Sequence, residues 1–385
     1  MSVKYVYYKD LGKIFFLQGL FFFIACKDDI PKSNEIVIID PKENLKKDWL
    51  DDAILDNISY FPLESTKGYP LGNLDKFIVI DTFFISTYRD INGVFFHSLS
   101  GVFIHVLHTS GKGPLEFNDV NEIAKFDNDH ILINDLEKKA ILKYNFRDRK
   151  MVEEFNTNAT IFSMYYQDGH LIYLGNDFKN GIVQKVDNFD FENKITLIKG
   201  SKISNLITSI HPFHKLDENN LVINVSFVDT VFVYNLTNSI IKKKFVLGKG
   251  ETSMNKFSFD KISSLFIQYE LHKLGDIIIP WGCISKLQNY LIFPVIPQNK
   301  CIVINLKNDE AFFMDFQKNF GKLTFVETSV YPYFFKEEGK VIYSLFKVQE
   351  SKPSLDVNSY NYERHYKKLL DEKNQNPVIA RFELK

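Results

Sequence analysis

Cysteine and tryptophan are scarce in this chain, three and two in 385 residues, and net charge is almost absent, with 47 basic side chains against 48 acidic ones. Three cysteines exclude a disulfide-dense scaffold, and no CxxC or Cys/His zinc spacing occurs. The even charge, without a basic stripe, leaves no electrostatic footprint for nucleic acid. No Gly-x-Ser-x-Gly elbow, Ser-His-Asp order or His-Glu-x-x-His run is present, so neither nucleophilic nor zinc hydrolysis is supported. Long helical periodicity is also missing. What the chain has is aromatics, 37 Phe and 19 Tyr, within an apolar fraction of 45% and a charged fraction of 25%. That balance is globular rather than disordered, and aromatic enrichment suits strands.

Lys4, Lys9 and Lys13 precede an apolar run from Ile14 to Ala25, broken only by Gln18 and Gly19. Twelve residues are too few to span a bilayer core of about 30 Å but fit the apolar region of a secretory signal. The run ends in Phe23-Ile24-Ala25-Cys26, which resembles a bacterial lipobox with Phe where Leu is usual. Cleavage before Cys26 and acylation of its sulfur are the expectation. Lys27, Asp28 and Asp29 follow and resemble the Lys-acidic-acidic export signal of surface lipoproteins. The expected organisation is a signal peptide over 1–25, a lipidated tether over 26–34 and one domain over 35–385, placed on the outer face of an outer membrane. Cys283 and Cys301 read as lying on the first and third strands of one antiparallel unit. An exported chain would permit a disulfide, but that placement favours two buried thiols.

From Glu35 onward, short apolar runs alternate with Gly, Asn, Asp and Lys clusters, an all-β pattern. Three segments superimpose without gaps: Ile131-Leu-Ile-Asn with Tyr144-Asn145, Leu221-Val-Ile-Asn with Tyr234-Asn235, and Leu291-Ile-Phe-Pro with Ile304-Asn305, each spanning 13 residues. Looser copies at Phe77 to Ile80, Leu171 to Tyr173 and Val341 to Tyr343 bring the count to six, about 60 residues per unit, with Glu251 to Gly275 as an insertion. The expectation is a six-bladed β-propeller of four-stranded antiparallel blades. Pairing of Glu35–Ile39 with Pro377–Leu384 would close the ring and remove its edges. Tyr362 to Lys373 carries a short helical spacing, read as a packing element.

Three segments resemble a known family. Ile58-Ser-Tyr-Phe-Pro-Leu-Glu64 is similar to the "YIPLET" opening strand of the Bacteroidetes six-bladed β-propeller lipoproteins, called TolB-like or NHL-like. Gly111-Lys-Gly-Pro-Leu-Glu-Phe117 resembles their "GxGPGEF" turn, with Leu115 where the family has Gly, and Asn376-Pro-Val-Ile-Ala-Arg-Phe-Glu-Leu-Lys385 resembles their closing strand, "NPVL". The resemblance implies the fold and the location. It implies no assigned activity.

Candidate chemistry is sparse. Gly111-Lys112-Gly113 and Gly248-Lys249-Gly250 lack the spacing, the Lys-Ser/Thr pair and the helix of a phosphate loop, and read as turns. His97, His105 and His108 fall in the first blade; the last two, three apart on a strand, point to opposite faces. His211 and His214 share a loop and could approach one ion. Asp81, Asp135 and Asp229 near strand ends, with Asn134 and Asn224 at equivalent repeat positions, could supply oxygens to a calcium ion in the channel, although such residues commonly make Asx turns. No cofactor is otherwise indicated. The leading expectation is a monomeric, non-enzymatic surface lipoprotein that binds a glycan or an envelope protein. Its rivals are a propeller lyase, lactonase or hydrolase with a divalent ion, and a scaffold docking other envelope proteins.

Overall fold

The computed structural model describes residues 35–39, 54–65, 71, 74–88, 91–108, 111–175, 181–199, 211–226, 228–248, 279–280, 284–296, 300–315, 336–338, 341–347 and 376–384. These residues form an all-β propeller of four-stranded antiparallel blades. Blade 1 runs from the inner strand outward as β3 (Leu74–Ile80), β4 (Phe83–Tyr88), β5 (Ile91–Ser98) and β6 (Phe103–His108). Blade 2 comprises β7 (Glu122–Lys125), β8 (His130–Asp135), β9 (Ala140–Asn145) and β10 (Lys150–Asn156). Blade 3 comprises β11 (Ile161–Gln167), β12 (His170–Gly175), β13 (Val183–Asp187) and β14 (Ile195–Ile198). Blade 4 comprises β15 (Phe213–Lys215), β16 (Asn220–Asn224), β17 (Thr230–Asn235) and β18 (Ile240–Leu247).

A fifth sheet pairs β19 (Ile279–Pro280) and β20 (Ser285–Leu287) with β21 (Tyr290–Ile296), followed by β22 (Lys300–Asn305) and β23 (Ala311–Asp315). Blades 1 to 3 use their strands strictly in chain order. A further sheet is composite: β24 (Lys336–Glu338), β25 (Val341–Lys347) and β26 (Pro377–Leu384) are joined by β2 (Ile54–Pro62) from the other end of the chain.

The gapless repeats are the hairpins β8–β9, β16–β17 and β21–β22. Their closing pairs have a physical division of labour. Tyr144, Tyr234 and Ile304 are buried. The asparagines that follow accept turn N–H groups through their side-chain oxygens, Asn145 from Arg147, Asn235 from Asn238 and Asn305 from Lys307. Phe77 to Ile80 is not such a copy. It belongs to the inner strand β3, because the two-residue turn Asp81-Thr82 joins two apolar runs that look alike in sequence.

The expected closing partner also needs correction. The strand that pairs with β26 is β2, antiparallel from Ile54↔Leu384 to Pro62↔Val378. Glu35–Ile39, β1, instead adds as a parallel fifth strand to the outer edge of blade 4, with Glu35↔Lys243 through Ile39↔Leu247. Packing decides the matter: Val37 and Ile39 complete an apolar cluster with Phe245 and Leu247, and Gly248 N–H donates to the Ile39 carbonyl at 2.8 Å. Cys301 lies buried on β22. Cys283, the insertion at 251–275, the helical spacing at 362–373 and residues 1–34 lie outside the described residues.

The core lies between sheets. Five apolar clusters each join two sheets, the composite sheet with blade 1, then blades 1 and 2, 2 and 3, 3 and 4, and blade 4 with the fifth sheet. Both faces of each blade are therefore covered, which is why the strands read as unbroken apolar runs. Aromatic rings fill this space, as in the stacked Phe77 and Phe84, centroids 4.9 Å apart. Each fully buried large side chain contributes roughly 1.5–3 kcal/mol.

Polar ties cross the same boundaries. They include Phe103 N–H to Glu64 (3.0 Å), Lys76 to Glu122 (2.9 Å), Asn134 to the Ile161 carbonyl (2.8 Å), Lys185 to Ser239 (2.9 Å) and Lys243 to Asp309 (2.7 Å). In the fifth sheet, β20 lies against β24 of the composite sheet.

Candidate functional site

The inner strands β3, β7 and β11 adjoin, and with β15 and β20 they wall a cavity of about 680 Å³, within the range of small-molecule sites. Its lining is polar. Lys76, Glu122 and Ser163 come from three successive blades and form one buried chain. Lys76 Nζ donates to Glu122 Oε2, while Glu122 also accepts from Ile123 N–H at 3.1 Å and from the Ser163 hydroxyl. Burial raises the Glu122 pKa above the ordinary carboxylate value, and the Lys76 charge with these hydrogen bonds opposes that rise. His214 and Lys286 extend the polar wall across β15 and β20.

At the cavity mouth, Tyr165 donates to Gln167 Oε1 at 2.6 Å, and Gln167 Nε2 donates to the Glu218 carbonyl at 2.7 Å, bridging blades 3 and 4. Desolvation raises the Tyr165 phenol pKa, so it stays a neutral donor. Phe126 and Tyr166 belong to the same mouth but offer no open ring face. Phe126 stacks on Tyr166 (4.5 Å), Tyr166 on Phe189 (5.5 Å) and Phe189 on Phe155 (3.9 Å), while Lys143 Nζ sits 3.8 Å from the Phe126 centroid. Recognition in this cavity would therefore run through hydrogen bonds rather than stacking.

Of the residues singled out in sequence, His211 and His214 line the cavity. The others do not meet there. Asn134 is buried and spends its side-chain N–H on blade 3. Asp135 accepts from the backbone of Asn118 (2.7 Å) and Lys138 (2.9 Å). Asn224 is buried in β16 with its N–H on the Pro212 carbonyl, and Asp229 accepts from the Thr230 hydroxyl. Asp81 pairs with Arg147 at 3.0 Å, tying two turns together. Among the described residues no group of three or more His, Cys, Asp or Glu is placed to hold a metal ion. These donors do not fit a calcium site.

The glycine turn has its own internal anion. Glu116 accepts from Gly113 N–H at 2.8 Å, and a Cβ at Gly111 would lie 2.6 Å from the same carboxylate oxygen. Lys138 donates to the carbonyls of Gly113 and Glu116 and pairs with Glu154, which accepts from Leu115 N–H. The would-be phosphate position is filled by the chain itself. In blade 1, His97 reaches the Glu64 carbonyl at 3.0 Å, and His105 stacks on Phe96 at 4.0 Å with its Nε2 near Tyr144. Both are packing histidines whose pKa is lowered by burial.

Sequence reasoning missed Lys76, Glu122, Ser163, Tyr165 and Lys286, because they are spread over the inner strands β3, β7, β11 and β20 and no motif links them. The available signal was a polar residue inside an apolar inner-strand run, as Lys76 is within β3.

Among solved structures, the chain is similar to a candidate exported protein from Bacteroides fragilis NCTC 9343, at 14% identity and a TM-score of 0.68 over 91% of this chain and 99% of that one. It is similar also to a member of the DUF4221 family from Bacteroides vulgatus ATCC 8482, at 11% identity and a TM-score of 0.49 over 86% and 98%. At these identities the first likeness speaks for the propeller fold alone. No curated protein matches the sequence. Residues 35–383 match the family described as "Domain of unknown function (DUF4934)", and the chain belongs to that family.

Proposed function

We propose that the composite sheet acts as the sixth blade of a closed, TolB-like or NHL-like ring. We propose further that Cys26 is acylated, that the propeller is displayed on the outer membrane surface, and that it serves as a binding module for a glycan or an envelope protein. One observation carries the binding reading: the inner strands enclose about 680 Å³ whose wall and mouth present paired hydrogen-bond donors and acceptors. Such a site holds an uncharged or zwitterionic polar ligand without burying an uncompensated charge. The β20–β24 contact and the β2–β26 pairing support closure. The lipobox-like Phe23-Ile24-Ala25-Cys26 supports the anchor.

The test is a thermal-shift screen of residues 27–385 against envelope and dietary polysaccharides and divalent ions, with and without EDTA. A ligand selective for the folded state raises stability by about 2.7 kcal/mol at a hundredfold excess over Kd. A shift with a polysaccharide, lost in Tyr165→Ala, supports the module. A shift that EDTA abolishes argues instead for a metal-dependent site.

The enzyme reading keeps one specific observation, the raised pKa of Glu122 in the cavity wall. It expects turnover that Glu122→Gln abolishes.

A further inference from the structure

β1 leaves a face that the propeller itself does not use. It pairs with β18 along one edge only, and its other edge meets no described strand. Alternation sends Val37 and Ile39 into the cluster with the fifth sheet and Ile36 and Ile38 the opposite way. Ile36 is 64% exposed and Ile38 60%, whereas no other described large apolar side chain passes 47%. Their register partners on β18 are Lys244 and Val246, so the face combines three branched apolar side chains with a cation. Left open, an apolar edge strand invites unwanted pairing, and something must cover it.

The chain itself indicates what. Cys26 lies nine residues before Glu35, so an acyl anchor there holds β1 within about 30 Å of the lipid surface. We propose that the Ile36/Ile38 face seats in the lipid headgroup layer once Cys26 is acylated. Ile36 and Ile38 enter the acyl boundary, and Lys244 meets lipid phosphate. Because β1 forms the outer rim of blade 4, the ring then stands on its rim, its axis runs along the membrane plane, and the cavity mouth stays open to solvent. This inference rests on the lipid-anchored reading above.

The experiment compares hydrogen exchange of residues 35–39 in the full acylated protein, reconstituted in vesicles of phosphatidylethanolamine and phosphatidylglycerol (3:1), with the unacylated Cys26→Ser protein in solution. The expected result is exchange slowed about tenfold at β1 on vesicles, with no change at the rim strands β10 and β14. That protection should be lost in Ile36→Asn/Ile38→Asn, whose acylation and thermal midpoint are retained. Equal exchange in the two states overturns the inference, as does protection spread around the whole rim. Protection of Cys26→Ser that grows with protein concentration also overturns it, in favour of self-association. A protein that never partitions into detergent would sink the anchored reading itself, a separate result.

Discussion

Lys76 Nζ lies 2.9 Å from Glu122 Oε2 across the boundary of blades 1 and 2, with only 7% and 5% of the two side chains exposed. Breaking a buried pair strands the partner charge, so Lys76→Met should cost about 3–5 kcal/mol, while Lys76→Met/Glu122→Leu should recover most of that loss. Urea denaturation of both proteins decides this, and a double variant as unstable as the sum of its parts would refute it. The pH dependence has a definite sign. Burial already raises the Glu122 pKa, and removing Lys76 removes the main opposing charge. A carboxyl with a raised folded pKa stabilises below its unfolded value and loses that contribution as pH rises through the folded one. Lys76→Met should therefore fall further below wild type as pH rises above the ordinary carboxylate range.

His105 gives the opposite slope. Burial lowers its pKa from 6.5 to about 4, helped by the Arg149 charge, and its Nδ1 has no hydrogen-bond partner among the described residues. The unfolded chain binds the proton first. The contribution is full above pH 6.5 and is lost as pH falls towards 4, by roughly 1–2 kcal/mol after solvent screening. His105→Phe keeps the stack on Phe96 and should flatten that window in a pH series of thermal midpoints; an unchanged slope would count against the assignment.

The turn at residues 111–117 carries a strained position. Leu115 has φ of +59°, a left-handed conformation that costs an L-residue about 1 kcal/mol. Leu115→Gly should stabilise the fold by roughly 0.5–1 kcal/mol. Gly111→Ala should destabilise it by more than that, since φ is +141° and the new methyl would meet Glu116. Chemical denaturation of the pair settles both signs.

What the sequence made legible was the repeating part. A strict spacing of apolar runs with a terminal Asn located three hairpins, because a buried residue and an Asx turn recur together at Tyr144-Asn145 and Tyr234-Asn235. Strand pairing at the ends was not legible. Glu35–Ile39 reads as a strand and Ile58–Glu64 resembles an opening strand, and only the three-dimensional arrangement of Val37, Ile39 and Phe245 decides which edge β1 takes. The cavity was hidden for a related reason. Lys76 and Glu122 are 46 residues apart, Glu122 and Ser163 41, and they meet only because inner strands of successive blades adjoin.

Asn134 separates a structural asparagine from a metal ligand. Its Nδ2 donates to the Ile161 carbonyl at 2.8 Å, and Asn121 Nδ2 donates to the same oxygen at 3.1 Å, so two blade 2 side chains hold the first residue of the blade 3 inner strand. Removing one buried donor leaves that carbonyl with a single side-chain donor, and Asn134→Ala should cost about 1–2 kcal/mol. Asn121→Ala should cost less, because its bond is longer and its side chain half-buried. The double variant should exceed the sum of the two, since only then does the carbonyl lose both side-chain donors. Calcium should change none of these values. A thermal midpoint of the wild type that rises with calcium, and an Asn134→Ala protein that no longer responds, would return Asn134 to the list of ion ligands; a calcium-independent loss in both asparagine variants identifies the pair as the latch between blades 2 and 3.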